Sequence, residues 1–163
     1  METRALFKLT YGVFVVTSRQ NEKDYGCIIN SAIQVVDEPN QISIVINKTN
    51  YTHDRVKETG LFNISVISER ASFDLFKRFG FQSGRVVNKF LGFDGVQRGE
   101  SGLCYITEGT NAFFSIKVED MIDLGSHTMF IGQVTQMEIL SEDNSMTYSY
   151  YQKSIKPKPE VTR

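Results

Sequence analysis

The sequence predicts a mainly β (α+β) domain in which an antiparallel sheet closes, or nearly closes, into a barrel, with short helices inserted between residues 51 and 91. Two observations carry that expectation. Runs of β-branched and aromatic residues recur along the chain, separated by polar or glycine-containing turns too short for crossovers. Helical periodicity is confined to a single insertion. At 163 residues the chain is the size of one ordinary domain and can bury a continuous core. Residues 1–152 are assigned to that domain and 153–163 to a C-terminal tail, read as loose or as lying across a partner subunit.

Residues 2–9 are short and mixed, suggesting no more than a turn of helix. Strand signal begins at 11–18, breaks over a polar loop at 20–24 and resumes at 25–36, a hairpin signature. Gly12 and Gly26 stand near strand starts, where glycine marks a bulge or the close approach of another backbone. After the turn Asp37-Glu38-Pro39-Asn40, residues 41–46 form a buried strand through Ile42, Ile44, Val45 and Ile46. It empties into Asn47-Lys48-Thr49-Asn50-Tyr51-Thr52-His53-Asp54 and a short helix ending at Gly60, with Thr52 as expected N-cap. Residues 61–68 alternate as a strand, and a second helix runs to about Phe79 with Phe73, Phe76 and Phe79 on one apolar stripe. Glycines end it in the loop 79–84; residues 86–91 suggest one more helical turn, and 92–102 show no period. The β signal returns at 103–107, 112–122 and 127–140, with a last strand expected at 147–151.

Composition excludes several function classes. Eighteen lysines and arginines balance nineteen aspartates and glutamates, so no basic excess draws the chain to nucleic acid or an anionic membrane. No run is long enough to span a bilayer and no signal peptide is evident, which points to the cytoplasm. Cys27 and Cys104 lie in separate apolar runs and read as buried thiols of a reducing compartment. The two histidines, far apart and without a carboxylate pattern, form no metal motif.

A strand that empties into hydroxyls, amides and a lysine at a helix start suits an anion such as a phosphate monoester. The same pattern also serves as a plain solvated cap.

Several short segments, in this order and spacing, resemble the flavin-reductase-like family of FMN-binding split β-barrels, in its branch of flavoredoxins and the flavin domains of high-molecular-weight rubredoxins. They are Thr10-Tyr11-Gly12-Val13, Asn30-Ser31, Asp37-Glu38-Pro39, the run from Asn47 to His53, Phe79-Gly80-Phe81-Gln82-Ser83-Gly84, Lys89-Phe90, and Gly125-Ser126-His127 feeding Phe130-Ile131-Gly132-Gln133-Val134. The resemblance implies FMN as cofactor, with NADH or NADPH as transient co-substrate, and a homodimer with FMN at the subunit interface. It implies that Asn47, Thr49, Tyr51, Thr52, Ser83 and Gly84, with Lys48 or Lys89, surround the phosphate. Asn30 and Ser31 would meet the flavin edge, and His127 would lie near the nicotinamide or acceptor unless it merely caps a hairpin. Hydride transfer to a flavin needs positioning and exclusion of water rather than a triad or carboxylate pair. The alternatives are a non-enzymatic FMN carrier exchanging electrons with a rubredoxin-like or iron–sulfur partner, and an unrelated oligonucleotide-binding barrel, which the near-neutral charge disfavours. No Cys-x-x-Cys module follows the domain, so an onward carrier is expected to be a separate protein.

Overall fold

The computed structural model describes residues 1–158. A 3₁₀ segment, Thr3–Lys8, leads to nine strands: β1 (Phe14–Gln20), β2 (Lys23–Ile29), β3 (Ala32–Asp37), β4 (Asn40–Asn47), β5 (Leu61–Ile67), β6 (Val96–Arg98), β7 (Cys104–Ile106), β8 (Thr110–Asp123) and β9 (His127–Ile139). Helix α1 (Tyr51–Thr59) precedes β5 and α2 (Phe73–Gly80) follows it, both within the expected insertion. Seven strands form one antiparallel sheet in the order β2-β1-β5-β8-β9-β4-β3; β6 and β7 form a separate two-stranded ribbon.

The two edges of the large sheet, β2 and β3, are consecutive in sequence and joined only by Asn30 and Ser31. The sheet therefore curls until its edges meet at this corner, but no ladder zips them together, and the barrel is split. Its interior is filled by the inward set of alternating residues, including Val16, Ile44, Ile46, Phe62, Ile64, Ile116 and Phe130, all at most 1% exposed. A second core lies on the outer face, where Leu75, Phe76 and Phe79 of α2 pack with Val13, Val15, Ile67 and Tyr151. The apolar stripe of α2 is thus core, with Phe73 partly buried at its rim.

Local chemistry moves several boundaries. The expected loop at 20–24 shrinks to a two-residue turn, because Asn21 and Glu22 both take positive φ (49° and 61°) and Gln20 pairs with Lys23. The N-cap of α1 is Asn50 rather than Thr52: the Asn50 side-chain oxygen accepts from Thr52 N–H at 3.1 Å. Gly60 closes the helix at φ 68°, a left-handed position that glycine takes without a Cβ penalty. Residues 86–91 make turns and no helix; Val86 and Val87 N–H both donate to Ser83 C=O, which tightens the loop instead. The periodless stretch contains β6, a strand created by its partner β7 rather than by its own pattern.

The expected strand at 147–151 is also corrected. Thr147 makes a single bridge to Gly12, then its hydroxyl caps Tyr150 N–H, and the chain coils through Tyr148–Tyr150 into a π turn over Tyr151–Ile155. Stacking of Tyr151 on Phe76, centroids 4.3 Å apart, holds that coil against α2. Residues 159–163 of the expected tail lie outside the described residues. No helix among the described residues is long and apolar enough to cross a membrane.

Candidate functional site

Three adjoining cavities run along the outside of the barrel from the split corner to the start of α1. The largest, about 740 Å³, lies under the 3₁₀ segment and opens on Asn30, Ser31 and Tyr148. The next, about 300 Å³, shares Asn30 and Tyr148 with it and is walled by Ile28, Phe76, Gly80 and Phe81. The third, about 240 Å³, shares Ile28, Gly80 and Phe81 with the second and is lined by Thr49, Asn50, Tyr51, Ser83, Gly84 and Lys89. Shared walls make these one trough with two chemically distinct ends.

The far end presents a buried cation. Lys89 is only 5% exposed, and its Nζ donates to the carbonyl oxygens of Gly26 (2.8 Å) and Phe79 (2.9 Å). It pairs with no carboxylate among the described residues. Burial pulls this ammonium below the usual lysine range. An ammonium has three donors and two are used, so a cation with one proton to give and no counter-charge faces this end of the trough. A bound phosphate monoester would supply both the charge and the acceptor. Gly26 leaves room for this arrangement: a Cβ there would stand 3.1 Å from the Phe79 ring and 3.3 Å from Phe90, crowding the rings beside Lys89.

Around Lys89 the turn into α1 is organised by Asn47, whose side-chain oxygen accepts from both the N–H and the hydroxyl of Thr49 at 2.9 Å. Across the cleft the Ser83 oxygens accept from Arg85, Val86 and Val87 N–H groups, fixing the turn. Tyr51 is flanked by the Arg55 and Arg85 guanidinium groups, 4.8 and 4.6 Å from its ring centroid. Thr52 is not on the trough. It is 2% exposed and turned inward with Asn50 toward the Cys27 thiol, which burial pushes up to about 11.

The near end is polar but carries no fixed anion. Ser31 hydroxyl donates to the Asn30 side-chain oxygen (3.1 Å), and Ser31 C=O accepts from Val45 N–H, pinning the corner to β4.

The remaining sequence candidates sit elsewhere. Lys48 pairs with Asp123 at 2.7 Å on the surface and does not line the trough. Its hydrogen bond holds the Asp123 carboxyl below the usual range. His127 stands opposite Asn47 in the β4–β9 ladder, partly exposed, with Nδ1 2.8 Å from the Ser126 hydroxyl. His53 is a core histidine, 3% exposed, bridged between Asp54 and Thr128. Sequence reasoning missed Ile28, Phe81 and Tyr148 as trough walls. Phe81 is 63% exposed, and an aromatic residue in a loop that opens on Gly80 and closes on Gly84 was the available signal.

The profile of the family described as flavin reductase like domain matches residues 6–158. The high molecular weight rubredoxin of Moorella thermoacetica is 36% identical over 151 residues, covering 93% of this chain and 66% of that protein. The ferric-chelate reductase (NAD(P)H) of Archaeoglobus fulgidus is 35% identical over 153 residues, covering 93% of this chain and 89% of its own. Among solved structures, the Streptomyces globisporus C-1027 NADH:FAD oxidoreductase in complex with NAD and FAD fragments superposes with a TM-score of 0.77 at 25% identity, over 89% of this chain and 84% of that one.

Proposed function

The chain belongs to the flavin reductase like family, and from that premise we propose that it is an NAD(P)H–flavin oxidoreductase holding FMN along the trough, phosphate at Lys89 and ring at the Asn30–Ser31 corner. The observation that carries the placement is the buried Lys89 ammonium, which has a donor to spare and no counter-charge. A phosphate monoester is the anion of a single charged terminus that this small, open-mouthed end accepts.

The protein's own groups then have defined work. Lys89 and the Ser83 hydroxyl grip the phosphate, and the Asn47-ordered turn holds Thr49 in the wall beside it. Ile28, Phe81 and Tyr148 keep water from the length of the molecule. Asn30 and Ser31 offer amide and hydroxyl groups to the polar edge of the ring. When bound, FMN would supply the hydride-accepting centre and the ability to pass electrons on singly or in pairs. His127, at the end of β9, is suited to orient a nicotinamide amide or an acceptor through its imidazole.

The reading includes a homodimer that closes the trough. Leu6, Phe7 and Leu9 are 62%, 80% and 56% exposed beside the largest cavity, and Phe81 is 63% exposed at the middle one. Apolar side chains clustered at a site and left in water are what a second subunit covers. A rubredoxin-like protein is the proposed onward acceptor, on the likeness to the Moorella protein. Two buried cysteines left free suit a reducing cytoplasm.

The test is an anaerobic titration of FMN-loaded protein with NADH and, separately, NADPH, followed by bleaching of the flavin absorbance in stopped flow. Fast saturable bleaching is expected. A tightly held flavin that ignores both nucleotides but exchanges electrons with a rubredoxin would make the chain a carrier instead. FAD binding in preference to FMN would move the ring or the phosphate off the proposed positions, and sedimentation gives the subunit number.

A further inference from the structure

The largest cavity has a feature that FMN does not use. Lys8, at the end of the 3₁₀ segment, and Lys153, in the C-terminal π turn, both line it, and no aspartate or glutamate does. Two segments from opposite ends of the chain thus bring one cation each to the same space. Neither lysine forms an ion pair among the described residues. Phe7, Leu9, Tyr11 and Tyr148 give the wall its apolar and aromatic part, and the remainder is neutral and polar, including Asn30, Ser31 and Gln152. A cavity that combines flat apolar walls with two unopposed cations fits a molecule that is part aromatic ring and part phosphate.

We propose that Lys8 and Lys153 bind the phosphates of the nicotinamide nucleotide, and that the 3₁₀ segment forms a wall of the donor site. This rests on the flavin reading above, because it is the Asn30–Ser31 corner opening into the same cavity that brings a nicotinamide against a flavin ring. Lysine suits the task as a mobile point charge, able to follow a flexible pyrophosphate or a 2′-phosphate. Both lysines are exposed, so the contribution is sensitive to salt.

The experiment uses the FMN-loaded protein with oxidised nucleotides, so that affinity is read without turnover. Binding of NADP⁺ and NAD⁺ is measured by calorimetry for wild type and for Lys8→Gln, Lys153→Gln and the double variant, together with FMN affinity. Loss of one charge-assisted contact is expected to weaken nucleotide binding roughly tenfold per lysine at low salt, with FMN affinity unchanged. A loss shared by NADP⁺ and NAD⁺ assigns the lysines to the pyrophosphate, and a loss confined to NADP⁺ assigns them to the 2′-phosphate; either supports the proposal. Nucleotide affinities unchanged in the double variant would overturn it while leaving the flavin reading intact, and so would a loss of FMN affinity instead. Wild-type protein that takes up no FMN would overturn the flavin reading itself and this inference with it.

Discussion

Replacing Lys89 by methionine separates the two jobs assigned to that side chain. Methionine keeps most of the volume and flexibility and removes the charge. In the free protein the variant loses two charge-assisted bonds, to Gly26 and Phe79 carbonyls, each worth about 1.5–3 kcal/mol. Against that, it no longer buries an ammonium without a counter-ion, a penalty of several kcal/mol. The two nearly offset, so the variant should fold with a modest change in melting temperature. FMN binding has no such offset, because the lost contact is to a dianion. One charged hydrogen bond of about 1.5–3 kcal/mol corresponds to roughly a 10- to 150-fold weaker Kd. Riboflavin has no phosphate and should lose no more than a few-fold. The assay is flavin fluorescence quenching with both ligands, run on wild type and variant. Equal weakening of FMN and riboflavin, or no weakening of either, would refute the phosphate assignment. A pH series adds a second check. Burial holds the free Lys89 ammonium below the ordinary 10.5, and only the charged form attracts phosphate. FMN affinity should therefore fall with rising pH before pH 10.5 is reached, while the riboflavin affinity of the same protein does not follow it.

Three further outcomes are expected. Asn50→Ala should cost about 1 kcal/mol in urea denaturation by removing the cap on Thr52 N–H, and should loosen FMN more than riboflavin because the cap shapes the phosphate end; an unchanged midpoint would return the cap to Thr52. Burial raises both Cys27 and Cys104 from 9.0 to about 11, so a thiol reagent at pH 8 should label neither in the folded protein and both in urea. The unfolded chain gives up these protons first, so their contribution to stability is constant below about pH 9. It then declines as pH rises toward 11. His127→Ala should leave FMN bound and slow flavin reduction by roughly fivefold, the worth of one ordinary hydrogen bond; unaltered reduction kinetics with a lowered melting temperature would make the histidine a support for the hairpin end.

The barrel was legible because its strands are encoded locally. The run Ile42 to Ile46 and the alternation of residues 61–67 announce a pleated, half-buried surface regardless of what they pair with. Elements that exist only through their partners were not legible. Val96–Arg98 is a strand because Cys104–Ile106 lies beside it, and the C-terminal coil depends on the stacking of Tyr151 on Phe76, more than 70 positions away in the sequence. The same division runs through the site. The chemistry of the Asn47–Thr52 stretch could be read from residue types, but which lysine joins it could not. Lys48 is adjacent in sequence yet is drawn off by Asp123, whereas Lys89 arrives through a loop whose path depends on the packing of Phe79 and Phe90. Asn50 outcompeted Thr52 for the cap because the residue just before the first helical turn, with extended backbone, is the one whose side chain can turn back on it.

The unladdered corner between β2 and β3 has a consequence for reversibility. Each of these strands is paired along one side only, so the peptide groups on the other side are not committed to a partner strand. Had the seam been zipped shut, those edge peptide groups would be spent on a ladder, and a ligand could use them only by breaking sheet hydrogen bonds, with exchange as slow as local unfolding. With the seam left open, the same backbone groups are free to be completed by a small molecule and released again without disturbing the other six ladders around the barrel. The open seam thus gives the outer trough a polar end that a ligand can occupy and leave on the timescale of binding rather than of folding, while the packed interior stays untouched.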